Sequence, residues 1–196
     1  MERENQRIAL TKRLLKEALL QLLKEKALDK ISVTELCKTA EINRATFYRH
    51  YAIPRDVLIE IQSDMIQQLK REIPLPQSLE DLKPAVYTLC TFMDQHAELI
   101  QLIIRCNTDV DFVHLVDDLF MELWKDLHLK NYLKKLNEED LRILAVYTAG
   151  GSYFILRSWM MGSIQKSAQE MADYVFELLN KTEFLTYGTL LGIPRK

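Results

Sequence analysis

The chain has 196 residues, 48% of them hydrophobic, with five Gly, five Pro and three Cys, and its 26 Lys and Arg against 28 Asp and Glu leave a net charge of −2. That length and apolar content exclude a disordered polymer and allow one or two packed cores, while scarce Gly and Pro beside abundant Leu, Lys and Glu exclude a turn-rich sheet protein and point to an all-α fold. No stretch approaches the roughly twenty apolar residues of a membrane span, the start lacks the apolar centre of a signal peptide, and the three cysteines show no pairing pattern for disulfides or zinc, so a soluble cytoplasmic protein is expected.

From Arg7 to about Lys26 the residues Ile8, Leu14, Leu15, Ala18, Leu19, Leu22 and Leu23 recur at three- and four-residue intervals, which predicts one amphipathic helix. Ser32, followed three residues later by Glu35, is a capping box opening a second helix with Leu36, Cys37 and Ala40 on its apolar face. Three residues, 41–43, then lead to a third short helix from Arg44 to about Tyr51, with Asn43 as its cap. Pro54 suits the first turn of a fourth helix carrying Val57, Leu58, Ile61, Met65 and Leu69, and Ile73 to Pro76 ends it.

Beyond that break Ser78 caps a predicted helix through Leu82, Val86, Leu89, Phe92 and Met93, and further helices are expected at about 96–106 and 110–130. The longest apolar helix runs from about 138 to 161. Its residues Leu141, Leu144, Ala145, Thr148, Gly151, Ser152 and Ile155 suggest a small-residue stripe for a close neighbour. Ser167 and Glu170 form a second capping box, before a helix with Met171, Tyr174, Val175, Leu178 and Leu179. The domains expected are 1–53, a connecting helix 54–76, and a larger helical domain 77–196.

Charge is unevenly spread: residues 1–56 hold 12 Lys and Arg against 8 Asp and Glu, while the remainder holds 14 against 20. The basic end is the candidate contact for a polyanion. Two short helices joined by a tight turn make a helix-turn-helix, whose second helix enters the major groove of double-stranded DNA. Here that helix offers Asn43, Arg44, Ala45, Thr46, Tyr48, Arg49 and His50, with Phe47 facing inward toward Leu36 and Ala40. Arg44 suits bidentate contact to a guanine, and Thr46 a thymine methyl or a phosphate. Tyr48 and His50 suit backbone contact, with Thr34 on the preceding helix beside them. A helical hairpin with a merely solvated polar side is the competing interpretation.

The stretch from Ser32 to Leu58, SVTELCKTAEINRATFYRHYAIPRDVL, resembles the DNA-binding domain of the tetracycline-repressor (TetR/AcrR) family, and the likeness covers about residues 7–70. Two positions depart from it. The family commonly has Gly where Glu41 stands, which predicts a backbone conformation that a β-carbon tolerates less well. It often has Lys where Pro54 stands, so Arg55, helped by the helix N-terminus, is expected to take over the phosphate contact. The segment from Tyr147 to Met161 also looks like the penultimate helix of tetracycline-repressor-type proteins. The resemblance implies a homodimer, joined by helices at about 138–162 and 168–181, on a palindromic operator, with a small-molecule or protein effector in the second domain and repression as the default sign.

Tyr87, Phe92, Phe112, Phe120, Tyr147, Phe154 and Trp159 are candidates for lining an effector pocket, with plain core packing as the alternative for each. His96, His114 and His128 lack metal-ligand spacing, no glycine-rich phosphate loop or nucleophile motif occurs, and neither cofactor, metal nor enzymatic activity is expected. The rival to a DNA-binding regulator is a regulator-like helical protein that acts by protein–protein interaction without binding DNA.

Overall fold

The computed structural model describes residues 2–74, 82–106 and 138–190, and these are helical with no strand among them. In chain order the helices are α1 (Glu2–Leu23), α2 (Val33–Thr39), α3 (Arg44–Phe47), α4 (Pro54–Glu72), α5 (Leu82–Gln95), α6 (Ala97–Cys106), α7 (Glu138–Met160) and α8 (Ala168–Leu190), with a 3-10 turn at Leu28–Lys30. Among the described residues no helix is long and apolar enough to cross a membrane. The predicted Ser78 cap and the helix at 110–130 lie outside the described residues.

The chain divides into two compact units, one of residues up to 65 together with 102–106, the other beginning at Ile66 on α4. In the first unit α1 starts at Glu2 rather than Arg7, because its polar opening residues keep helical geometry ahead of the first buried positions, Thr11 and Leu15. Leu15, Leu19, Leu36, Phe47 and Val57 are each fully buried, so α1, α2, α3 and the start of α4 share one core. Ser32 caps α2 by accepting from Glu35 N–H at 3.1 Å. The reciprocal half of that capping box is not the one predicted, since the Glu35 carboxylate takes the Lys26 ammonium at 2.6 Å, a charge-assisted partner, instead.

In the second unit α5 packs along α8, and α7 also meets α8. Tyr87 on α5 donates to Asp173 on α8 at 2.8 Å, and Lys83 pairs with the same carboxylate. The α7–α8 connection is closed by Trp159, whose indole N–H donates to the Lys166 carbonyl at 2.8 Å. The second capping box forms in full: Glu170 N–H donates to Ser167 Oγ, and Ser167 N–H donates back to the Glu170 carboxylate at 2.9 Å. These bonds hold the Glu170 carboxyl below its usual pKa.

α7 ends in a Schellman cap: Gly162 N–H donates to the Trp159 carbonyl and Ser163 N–H to the Ser158 carbonyl, with Gly162 at φ +78°. The predicted small-residue stripe splits across α7. Thr148 and Ser152 are buried within the unit, Gly151 faces outward, and Ile155 lies between, while the side chains of Leu141, Leu144 and Ala145 are outside the described set.

Candidate nucleic-acid interface

The turn between α2 and α3 is a second Schellman cap. Glu41 N–H donates to the Lys38 carbonyl at 3.3 Å and Ile42 N–H to the Cys37 carbonyl at 2.9 Å. This pairing demands a left-handed residue at Glu41, which stands at φ +56°. The backbone conformation inferred from the missing glycine is therefore present, carried by a residue with a β-carbon.

Asn43 then caps α3, its side chain accepting from Ala45 N–H at 2.8 Å. Regular α-helix stops at Phe47 rather than Tyr51. The chain keeps winding as hydrogen-bonded turns, with His50 N–H and Tyr51 N–H both donating to the Phe47 carbonyl. Phe47 is fully buried, and its ring meets those of Tyr48 and Tyr51 at 5.5 and 5.7 Å.

With Phe47 fixed inward, the opposite side must face out. Asn43, Arg44, Ala45, Tyr48 and Arg49 are exposed, and Thr46 and His50 are partly so. Arg49 donates to Thr46 Oγ1 at 3.1 Å, and the Arg44 guanidinium lies 6.0 Å from the centre of the Tyr48 ring. The two arginines are thus oriented by their neighbours without being neutralised by them. Thr34 is exposed near the start of α2, and Arg55 is half-buried in the first turn of α4. The Cys37 thiol lies behind this surface; burial raises its pKa and the Arg44 charge opposes that rise.

Pro54 opens α4 as predicted, and Asp56 accepts from Ala52 N–H at 2.7 Å and Ile53 N–H at 3.0 Å, tying the entry to α4 onto the end of the α3 segment. A further tie was not foreseen from sequence. Glu60 on α4 meets Lys12 at 2.9 Å and Lys16 at 2.7 Å, and the Tyr51 hydroxyl donates to it at 2.9 Å. Burial works against the Glu60 carboxylate, but these three donors outweigh it and lower its pKa to about 2. Burial also disfavours the Lys16 ammonium, which Asp64 and Glu60 overcome, raising its pKa. The spacing within each helix is visible in the sequence, Lys12 and Lys16 one turn apart and Glu60 and Asp64 likewise, but the pairing between the two helices is not.

The candidate pocket residues separate in the second unit. Phe92 is buried with its ring tilted against that of His96, centroids 4.4 Å apart, Trp159 is buried, and Tyr87 is half-buried on Asp173. Tyr147 and Phe154 are exposed at 67% and 65%, while Phe112 and Phe120 lie outside the described residues. Tyr147 and Phe154 share an outward face of α7 with Ile143 and Val146, and Tyr174 and Leu178 are exposed on α8. A β-carbon at Gly150 or Gly151 would meet nothing within 4 Å. Among the described residues no group of three or more His, Cys, Asp or Glu could hold a metal ion.

Residues 80–181 match the family model for the TetR-type transcriptional regulator C-terminal region, just over half of the chain. The chain is 22% identical over 175 residues to the uncharacterized HTH-type transcriptional regulator YxbF of Bacillus subtilis (strain 168), covering 86% of this chain and 44% of YxbF. It therefore spans less than half the length of that curated relative. A tetR-family transcriptional regulator from Streptomyces coelicolor superposes with a TM-score of 0.62 at 16% identity, over 92% of this chain and 86% of that one. The regulator FadR from Bacillus subtilis in complex with stearoyl-CoA gives 0.55 at 16% identity, over 85% and 96%. At these identities the solved structures establish a shared fold.

Proposed function

The chain belongs to the TetR family of transcriptional regulators, and from that premise we propose that it acts as a homodimer that binds a palindromic double-stranded DNA operator through residues 43–50 under the control of an effector. The observation that carries this reading is the polarity of the α3 segment: Phe47 is fully buried while Arg44, Tyr48 and Arg49 stand in solvent. A merely solvated hairpin has no need of an arginine held over an aromatic ring at the start of the segment with a second one turned outward at its end, whereas base-edge contact by Arg44 and backbone contact by Arg49 do. In this reading Arg44 and Ala45 face base edges, Asn43, Thr46, Tyr48, Arg49 and His50 hold the backbone, and Thr34 and Arg55 flank them on phosphates.

The domains proposed are residues 1–53 for DNA, 54–76 as the connecting helix, and 77–196 for effector binding and dimerisation. Dimerisation is supported by the outward apolar face of α7 and the exposed Tyr174 and Leu178 on α8, which in a lone chain would stand in water. A twofold dimer presents two copies of α3 to successive major grooves about 34–36 Å apart. An effector acts by binding one arrangement of the pair better than the other, and so weakens or strengthens DNA binding; repression is the sign proposed. FadR, in its complex with stearoyl-CoA, is a structural neighbour that holds a small molecule, which supports a small-molecule effector and leaves its place and chemistry open. A cytoplasmic site of action follows from this role.

Selection of bound duplexes from a random pool at two salt concentrations tests the proposal. A palindrome with half-sites about one helical turn apart is expected. Recovery of no preferred sequence would refute it and favour the regulator-like protein that works by protein contact alone.

A further inference from the structure

The α1–α4 contact in the first unit holds a charge cluster to which the DNA-binding reading gives no role. Lys12 and Lys16 on α1 both meet Glu60 on α4, and Lys16 also meets Asp64. Isolated surface pairs of this kind contribute little. This cluster differs because it is joined to the end of the α3 segment: the Tyr51 hydroxyl donates to Glu60 Oε2 at 2.9 Å, and the Lys12 ammonium lies 5.6 Å from the centre of the Tyr51 ring.

Tyr51 is only 6% exposed, its ring is 5.7 Å from that of Phe47, and its amide N–H donates to the Phe47 carbonyl. It is therefore the last fixed point of the segment whose other end presents Arg44. A partly buried carboxylate that accepts from two ammonium groups and a phenol is held in direction as well as in place. The Asn43 cap, the turn bonds to the Phe47 carbonyl and the Asp56 bonds to Ala52 and Ile53 fix the backbone of the segment locally. The hydroxyl bond adds a side-chain link from its end to the α1–α4 pair.

We propose that Tyr51 is a positioning residue for DNA recognition: its hydroxyl, held by Glu60 and through it by Lys12 and Lys16, sets the angle at which residues 44–50 stand on α1 and α4. The proposal rests on the DNA-binding reading. It separates two effects of the same side chain, since the ring stabilises the unit and the hydroxyl aims the recognition surface.

The test uses the full chain, the duplex recovered by selection and a mixed-sequence duplex of equal length. Tyr51→Phe keeps the ring and removes the hydroxyl. It is expected to bind the selected site about tenfold more weakly, to bind the mixed duplex within about twofold of the wild type, and to exchange the amides of residues 49–51 faster in the absence of DNA. Glu60→Gln leaves an acceptor for the hydroxyl and is expected to lie between Tyr51→Phe and the wild type on all three readouts. Parallel weakening on both duplexes would reduce Tyr51 to a stability role and overturn the proposal. A wild-type chain that discriminates clearly beside an equally discriminating Tyr51→Phe overturns the proposal alone. A wild-type chain with no preferred duplex overturns the DNA-binding reading and the proposal together.

Discussion

Glu41 occupies a left-handed position at φ +56° in the turn before the recognition segment, where the Schellman bonds to Lys38 and Cys37 leave the backbone no other choice. A β-carbon in this conformation costs about 1–2 kcal/mol relative to glycine. Glycine returns about 0.5–1 kcal/mol of that through the larger freedom of its unfolded chain. Glu41→Gly is therefore expected to stabilise the protein by about 0.5–1 kcal/mol, which for a chain of this size raises the melting temperature by about 1–4 °C. The Glu41 side chain is exposed and no bond to it is described, so little else is lost.

Two controls isolate the cause. Glu41→Ala removes the charge but keeps the β-carbon and is expected to gain nothing, while Gly162→Glu places a β-carbon at φ +78° in the matching cap of α7 and is expected to lower the melting temperature. Differential scanning calorimetry of the three variants decides it. A Glu41→Ala as stabilised as Glu41→Gly, or a Glu41→Gly melting below the wild type, would refute the conformational origin of the effect.

Other outcomes follow from the same structure. Arg44→Ala is expected to lose about 1–3 kcal/mol of operator preference with mixed-sequence binding nearly unchanged, and Tyr48→Phe to weaken both duplexes alike, each read by fluorescence anisotropy. Gln62 on α4 is 2% exposed, and its amide has no hydrogen-bond partner among the described residues, so Gln62→Met is expected to raise the urea midpoint by replacing a buried polar group with an apolar one of similar length. The Glu60 carboxyl titrates near 2 in the folded protein against 4.5 ordinarily. Because its folded value is depressed, its stabilisation is present above pH 4.5 and is lost as pH falls toward 2. The stability gap between wild type and Glu60→Gln is thus expected to be widest above that window and to close within it in acid denaturation.

Local rules made much of this fold legible. Asn43, Ser167 with Glu170, Pro54 and the spacing of Leu15 and Leu19 each act within one helix turn, so their consequences could be read without knowing any neighbour. Residues that depend on a distant partner were not legible in the same way. Glu35 is satisfied by Lys26 instead of by the cap, and Glu60 by Lys12 and Lys16 on another helix, a charge complementarity that appears only once α1 and α4 are laid side by side. Tyr147 and Phe154 show the same limit: an apolar helix face reads identically whether it lines an interior or awaits another chain. The short extent of α3 was hidden too, since the turns after Phe47 keep helical spacing for their side chains.

The account stands most directly on the guanine contact proposed for Arg44. Replacing each guanine of the selected duplex in turn by 7-deazaguanine removes one of the two acceptors that a bidentate arginine uses. The penalty is expected at one symmetry-related pair of guanines for the wild type, about tenfold in affinity, and is expected to vanish for Arg44→Ala. A penalty of equal size in both proteins, or none at any guanine, would contradict the assignment of this helix as the reading head.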